Sequence, residues 1–445
     1  MKKVAVVGAG LVGSLQAIFL AQKGFEVDVF ERRPDMRKAA LLAGRSINLA
    51  LSDRGWKALE KIGIDQEIKE IAIPMYGRKM HALDGSLTFQ PYGKENQAIY
   101  SVSRGGLNQR LMNWAEKFPK VHYRFNLRCK DVDLHNNTLI FENELTHEEE
   151  KYSYPHIFAT DGAFSPLRLR LQQNPLFNYQ QTYLTHGYKE LVIPANADGT
   201  HKMDKNCLHI WPRGEFMMIA LPNLDGSFTV TLFFPLKGKL SFESIKTAED
   251  VKDFFGKTFA DAVELMPSLL TDYFENPTST LITVRCSPWN FEDKVLLMGD
   301  AAHAIVPFYG QGMNAGFEDC TIFDELFTQN GENWDKSFHE FSENHCKDGE
   351  AIADLALNNY IEMRDKTADA DFLLRKKIER KFSDLHPGKW LPLYELVTFS
   401  HIPYSEANKK GQFQRGIMDE VMQKSDIHES WDEDEIMQFI LKKVN

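Results

Sequence analysis

Residues 3–31 restrict the possible folds more than any other part of the chain. KVAVV (3–7) is a short β-branched run suited to a strand buried on both faces. Gly8-Ala9-Gly10-Leu11-Val12-Gly13 follows as a G-x-G-x-x-G turn, SLQAIFLAQKG (14–24) reads as a helix closed by Gly24, and VDVFE (27–31) reads as a second strand. Each glycine of the turn has a mechanical reason. Gly8 permits the tight turn, Gly10 lets a pyrophosphate approach the backbone, and Gly13 lets helix and strand pack closely. The helix N-terminus then faces the anion. Glu31, 23 positions after Gly8, closes the second strand where a carboxylate can accept both ribose hydroxyls. A plain α/β turn competes with this reading, but strand, turn, helix and acidic strand end together favour an ADP-containing dinucleotide. Glu31 would repel the 2′-phosphate of NADP, which leaves NAD and FAD.

No second glycine fingerprint occurs, and the unit is interrupted before it resumes near residue 295. That interruption suits a large flavin, whose ribityl chain and ring need contacts far downstream. Residues 78–93, RKMHALDGSLTFQPYG, read as a hairpin turning at Asp84-Gly85. Helix returns at Leu107–Phe118, and residues 154–171 read as a strand, a turn and a basic helix start. Between about 180 and 282 the texture is antiparallel β, with EFMMIAL and SFTVTLFF flanking the turn PNLDG. From about residue 334 the pattern is mostly helical.

The stretch VLLMGDAAHAIVPFYGQGMNAGFEDC (295–320) carries the second signal. A carboxylate ending a buried strand, here Asp300, is costly unless hydrogen-bonded, and a polyhydroxylated ribityl chain supplies donors. The loop from Pro307 to Gly312 offers backbone N–H groups, and the helix after it points its positive end toward the flavin pyrimidine. Alternatively, Asp300 caps a helix and the glycines are turn formers. His303 has no evident carboxylate partner in the sequence and is read as structural.

Together these residues carry a resemblance. The chain resembles the single-component FAD-dependent aromatic hydroxylases, which pair the N-terminal fingerprint with a central Asp-Gly (Asp161-Gly162) and a later Gly-Asp (Gly299-Asp300). GRSINLALSDRG (44–55), YSVSRGGLN (100–108), residues 298–320 and NNYIEMRD (358–365) resemble the kynurenine 3-monooxygenase family within that class. The resemblance implies an α/β chain: a Rossmann-like FAD-binding domain, an inserted antiparallel β-sheet substrate domain and a C-terminal helical region. The expected divisions are 1–74, 100–180 and 283–330 for FAD, 75–99 and 181–282 for substrate, and 331–445 for the helical region.

It further implies tightly bound, non-covalent FAD, transient NADPH, O₂, and hydroxylation of L-kynurenine through a flavin C4a-hydroperoxide. Such chemistry belongs to tryptophan catabolism and feeds pyridine nucleotide biosynthesis. Flavin contacts would fall on Gly8, Gly10, Val12, Gly13, Glu31, Ala50, Arg104, Cys129, Asp300, Gly312, Met313 and Asn314. Substrate carboxylate and amine would fall to Arg78, Tyr92, Asn359 and Tyr394, with Phe308 and Tyr309 over the ring. Arg78 and Tyr92 lie on the two arms of one hairpin, and a guanidinium plus a phenol suit a carboxylate. Taken without the family, Arg78 reads better as an exposed strand residue and Asn359 as a solvated helix position. A hydroxylase of another aromatic acid and a flavoprotein ligand sensor remain the alternatives.

Composition excludes other classes. The 445 residues carry a net charge of −11, which argues against general nucleic-acid binding. Five scattered cysteines form no C-x-x-C pair, so no metal site or disulfide framework is expected, and a reducing compartment is the simpler reading. The charged final segment 430–445 is no membrane anchor, and the expectation is a soluble, cytoplasmic, bacterial enzyme, monomeric or homodimeric.

Overall fold

The computed structural model describes residues 2–38, 48–93, 96–363 and 369–445. Parts of two stretches that carry the resemblance, 44–47 and 364–365, lie outside them. The β-branched opening run becomes the strand Lys3–Val7, with Val4, Ala5 and Val6 fully buried. It sits inside a six-stranded sheet ordered Asn290–Phe291, Val295–Leu297, His156–Ala159, Lys3–Val7, Glu26–Phe30, Val121–Arg124. All neighbours are parallel except the first pair. A strand buried on both faces needs helices on each side, and Leu11–Gln22 packs against both Arg104–Ala115 and Gly312–Gln329.

Boundaries shift for local reasons. The first helix begins at Leu11, inside the glycine turn, because Gly10 O already accepts Ser14 N at 2.9 Å. The helix expected at 107–118 runs from Arg104 to Ala115, since the Ser103 hydroxyl caps it by accepting Gly106 N.

The second layer is a seven-stranded sheet ordered Ser279–Ser287, Asn178–Ile193, Phe228–Pro235, Met217–Pro222, Cys207–Pro212, Gly77–His81, Leu87–Pro91. The 78–93 hairpin is present, with Gly85 at φ +81 in its turn. Two corrections apply to the expected antiparallel region. Cys207–Pro212 pairs in parallel with Gly77–His81. Residues 248–275 are helical, in the pieces Ala248–Thr258, Ala260–Val263 and Leu269–Glu275. A capping box between Thr247 and Asp250 starts the first piece, and Phe254, Phe255 and Phe259 pack with Phe234 of the sheet and with Phe216 just before the strand Met217–Pro222. Two small three-stranded sheets were not foreseen: Leu127–Asp133 with Thr138–Asn143 and Glu149–Ser153, and Asn48–Leu51 with Ile99–Ser103 and Ile73–Met75.

The C-terminal helices build a separate small core. Ile436, Met437 and Ile440 of the last helix, Asp434–Val444, pack with Ile417, Met418 and Val421. Among the described residues no helix is long and apolar enough to cross a membrane.

Candidate active site

Four adjacent parallel strands deliver the motif residues to one edge of the sheet. Glu26–Phe30 ends at Glu31, Lys3–Val7 at Gly8, His156–Ala159 at Asp161, and Val295–Leu297 at Gly299-Asp300. Chain order reverses between the strands Lys3–Val7 and His156–Ala159, the switch point outside whose carboxyl ends α/β sheets bind ligands. From Glu31 to Asp300 this edge spans three strand spacings, about 14 Å, which suits an elongated dinucleotide.

The glycines divide into two kinds. Gly8 is at φ +102, and a Cβ there would lie 2.5 Å from Thr160 O; at Gly13 it would lie 1.9 Å from Gly8 O. These two are required by the protein itself. A Cβ at Gly10 would meet no protein atom within 4 Å, and one at Gly312 only Ile305 Cγ1 at 3.9 Å. The protein leaves space at both positions, as a ligand approaching the backbone requires. The residues present therefore fit FAD.

Glu31 is buried, accepting Ala9 N at 3.1 Å and the Arg33 N and Nε at 3.0 and 2.7 Å. Burial pushes its carboxyl pKa up, but the Arg33 hydrogen bonds and charge outweigh it and hold it low. Asp300 differs. It begins the short helix Asp300–His303 that Gly299, at φ +58, makes possible. Its carboxylate has accessible surface, yet protein encloses it closely enough for desolvation to raise its pKa. Among the described residues no donor hydrogen-bonds it, while the His303 ring and the Arg104 and Arg168 guanidinium groups act on it electrostatically. A cleft carboxylate without a donor is what a hydroxyl-bearing ligand would satisfy. Asp161 is similar: burial raises it to about 6, and Oδ1 has no partner among the described residues. Cys129 is half-buried on Leu127–Asp133, close enough for the Asp161 charge to act on it.

The loop before Gly312–Gln329 is clamped rather than loose. Asn314 is fully buried; its Oδ1 accepts Ser52 N at 2.9 Å and its Nδ2 donates to Ala50 O and Gly310 O, both at 2.8 Å. The Asn314 side chain is thus spent on the loop, which leaves its backbone for the expected flavin contact. Val12 is likewise used in packing, since a Cβ at Gly299 or Gly316 would meet its Cγ2 at 3.0 or 2.6 Å. Met313 is buried in the main core.

His303 also needs correction, because it does have a carboxylate partner. Asp319, fully buried, accepts His303 Nε2 at 2.7 Å, Gly299 N at 2.7 Å and His345 Nε2 at 3.0 Å. The other nitrogen of His345 faces Asp348 Oδ2 at 3.2 Å, and Asp348 Oδ1 accepts Ser405 N at 2.9 Å. With an acceptor on both ring nitrogens, His345 must carry two protons. Burial opposes that charge, but Asp319 and Asp348 lift its pKa to about 10. This pKa lies above the ordinary value of 6.5. The stabilisation is therefore complete below about 6.5 and lost as pH rises through about 10. Melting temperature should fall over that interval more steeply for wild type than for His345→Gln. Parallel profiles would show that His345 is not charged in the native state. Sequence reasoning missed this network, although two adjacent carboxylates, Glu318-Asp319, in the first half of the helix Gly312–Gln329 were a usable signal.

On the substrate side the seven-stranded sheet presents Arg78, and aromatic rings surround it. Its guanidinium carbon lies 5.2 Å from the Tyr92 ring and 4.7 Å from the Tyr394 ring, which stack at 5.2 Å with 13° between planes. Among the described residues the buried Arg78 Nε has no hydrogen-bond partner, and the buried Tyr92 hydroxyl has none either. Arg78 is thus no exposed strand arginine. Tyr309 stacks on Tyr394 from the other direction at 5.6 Å, and Phe308 lies between Phe233 and Tyr360 at 4.8 and 4.2 Å. Asn359, read from pattern as solvated, is buried and donates from Nδ2 to Phe308 O at 2.7 Å. Among the described residues no group of acidic, histidine or cysteine side chains could hold a metal ion.

A family profile described as "FAD binding domain" matches residues 1–325. A kynurenine 3-monooxygenase of Flavobacterium johnsoniae is 53% identical over 440 residues, covering 99% of this chain and 98% of that one. The chain belongs to the kynurenine 3-monooxygenase family. Relatives of the same name occur in Dictyostelium discoideum, 46% identical over 96% of this chain and 94% of that one, and in Sus scrofa, 45% identical over 93% and 88%. Among solved structures, the tetrameric form of 2-methyl-3-hydroxypyridine-5-carboxylic acid oxygenase superposes with a TM-score of 0.67 at 16% identity, covering 84% of this chain and 95% of that one. Tetracycline destructase Tet(51) does so at 0.56 and 16%, covering 95% and 98%. At that identity they establish the fold alone. As a family member the chain is a flavoprotein monooxygenase with FAD as its cofactor.

Proposed function

We propose that the chain hydroxylates L-kynurenine: L-kynurenine + NADPH + O₂ + H⁺ gives 3-hydroxykynurenine, NADP⁺ and water. The observation that carries this reading is Arg78, a half-buried cation caged by Tyr92 and Tyr394, whose buried Nε has no hydrogen-bond partner among the described residues. A planar guanidinium between aromatic walls suits the carboxylate of an aromatic amino acid. The names of the relatives agree with it.

FAD, when bound, supplies the redox chemistry that takes reducing equivalents from NADPH and activates O₂. The chain's own residues bind and orient. Gly8 to Gly13 and the helix beginning at Leu11 would hold the pyrophosphate, and Glu31 the adenosine ribose. Asp300 would accept ribityl hydroxyls, with Arg104, Ala50, Cys129 and the backbone of Gly312, Met313 and Asn314 about the flavin. Arg78, Tyr92, Tyr394 and Asn359 would anchor the amino-acid end of kynurenine, with Phe308 and Tyr309 over its ring. The aniline amino group activates the ring position beside it, so no protein base has to. Anchoring the far end selects which ring carbon reacts, and the aromatic walls exclude water from the reacting atoms. We assign residues 1–74, 100–180 and 283–330 to FAD binding, 75–99 and 181–282 to substrate binding, and 331–445 to the helical region that completes the site through Asn359 and Tyr394.

Removing Arg78 tests the reading. Losing a hydrogen bond to a charged group costs about 1.5–3 kcal/mol, so Arg78→Ala should weaken kynurenine binding about 10- to 150-fold. Arg78→Lys should recover only part, and FAD content should stay at the wild-type level. An unchanged kynurenine dissociation constant in Arg78→Ala would remove Arg78 from the site.

A further inference from the structure

Tyr394 reaches the cage from a segment that cannot hold itself in place. Its helix, Leu393–Thr398, has six residues, too few to be stable alone, and residues 399–403 lead from it into the helix Tyr404–Met422. Arg54, on the distant helix Asp53–Ile62 and only 1% exposed, grips this strap at two points, one in its helix and one just before Tyr404–Met422. Its Nε donates to Val397 O at 3.0 Å and its Nη2 to Ile402 O at 2.5 Å. Nη1 pairs with Glu318, and the guanidinium lies 3.9 Å from the centre of the Tyr404 ring. The Tyr404 hydroxyl in turn donates to Gln311 Oε1 at 3.0 Å, beside Gly312. A buried arginine that gives two donors to the carbonyls of one short segment holds that segment in a defined position. Val397 lies three residues, one helical turn, beyond Tyr394.

We propose that Arg54 is a positioning residue for substrate capture: by fixing the strap at Val397 and Ile402 it holds Tyr394 over the Arg78 guanidinium. This rests on the reading of Arg78 and Tyr394 as the carboxylate clamp. Arginine is required because three partners lie in different directions around one plane, which a lysine ammonium cannot reach together. Arg54 touches neither substrate nor cofactor.

The test is a thermodynamic cycle on the FAD-loaded enzyme. Arg54→Met is combined with Glu318→Gln, since Met alone would leave a buried carboxylate uncompensated. The pair should raise the kynurenine dissociation constant about tenfold and increase the share of NADPH oxidation that ends as H₂O₂, with FAD content unchanged. On a Tyr394→Ala background the same pair should add less than about twofold, because the residue it positions is already gone. Equal effects on both backgrounds, or a lowered melting temperature with unchanged affinity and peroxide yield, would overturn the proposal. Arg54→Lys, which keeps the buried charge balanced, should give an intermediate loss; wild-type affinity in that variant would also overturn it. If the double variant does not fold, Arg54→Lys carries the cycle with Tyr394→Ala. Wild-type enzyme that fails to bind kynurenine would remove the clamp reading as well, whereas binding wild type with unaffected variants removes only the role of Arg54.

Discussion

Gly312→Val is expected to lose FAD while keeping its fold. Gly312 opens the helix Gly312–Gln329, and the nearest protein atom to an added Cβ is Ile305 Cγ1 at 3.9 Å. An added Cβ therefore makes only ordinary contact within the protein, and the propensity change from glycine to valine in a helix is under about 1 kcal/mol. A large loss of FAD with the fold kept would then come from what approaches that backbone from outside. If this is the flavin ring, retained FAD in the purified variant should fall by more than about tenfold, and FAD-free melting temperatures of variant and wild type should agree. Gly13→Val is the contrasting case. Its Cβ would stand 1.9 Å from Gly8 O, so folding itself should fail. A Gly312→Val protein with full FAD and normal turnover would place the flavin elsewhere.

Asp319→Ala is expected to cost about 3–5 kcal/mol of stability, the usual consequence of removing one member of a buried ion pair. Three donors converge on this carboxylate, from His303, His345 and the Gly299 backbone. Without it the His345 charge is balanced by Asp348 alone, and the Gly299-Asp300 turn loses its anchor. Denaturant unfolding of the FAD-loaded protein measures the cost. Asp319→Asn should recover part, because an amide oxygen still accepts one bond but carries no charge. A loss below about 1 kcal/mol would mean that the network is no more than an ordinary surface pair.

The frame of the candidate site was legible because its signals are local. The glycine turn, the strand end at Glu31, the Asp84-Gly85 hairpin and the strand end before Asp300 all depend on residues close in sequence, and the structure has these elements at or near the expected positions. What was missed depends on residues far apart. Arg54 meets Glu318, Val397 and Ile402 across more than two hundred positions, and no periodicity encodes that. Asn359 lies on a long helix, Trp334–Ile361, with many polar residues, so its burial follows only once Phe308 O is seen beside it. The helices within 248–275 were overlooked for a different reason. Their Phe-rich sequence resembles the flanking strands, and only the Thr247–Asp250 capping box marked the change.

The central claim is tested most directly by product analysis. Purified FAD-loaded protein should be given L-kynurenine, NADPH and ¹⁸O₂, and its products separated and weighed by mass spectrometry. The expected product is 3-hydroxykynurenine carrying one ¹⁸O atom, formed in near-equal amount to the NADPH consumed. NADPH oxidation that yields only H₂O₂, or hydroxylation of other aromatic acids while kynurenine remains untouched, would contradict it.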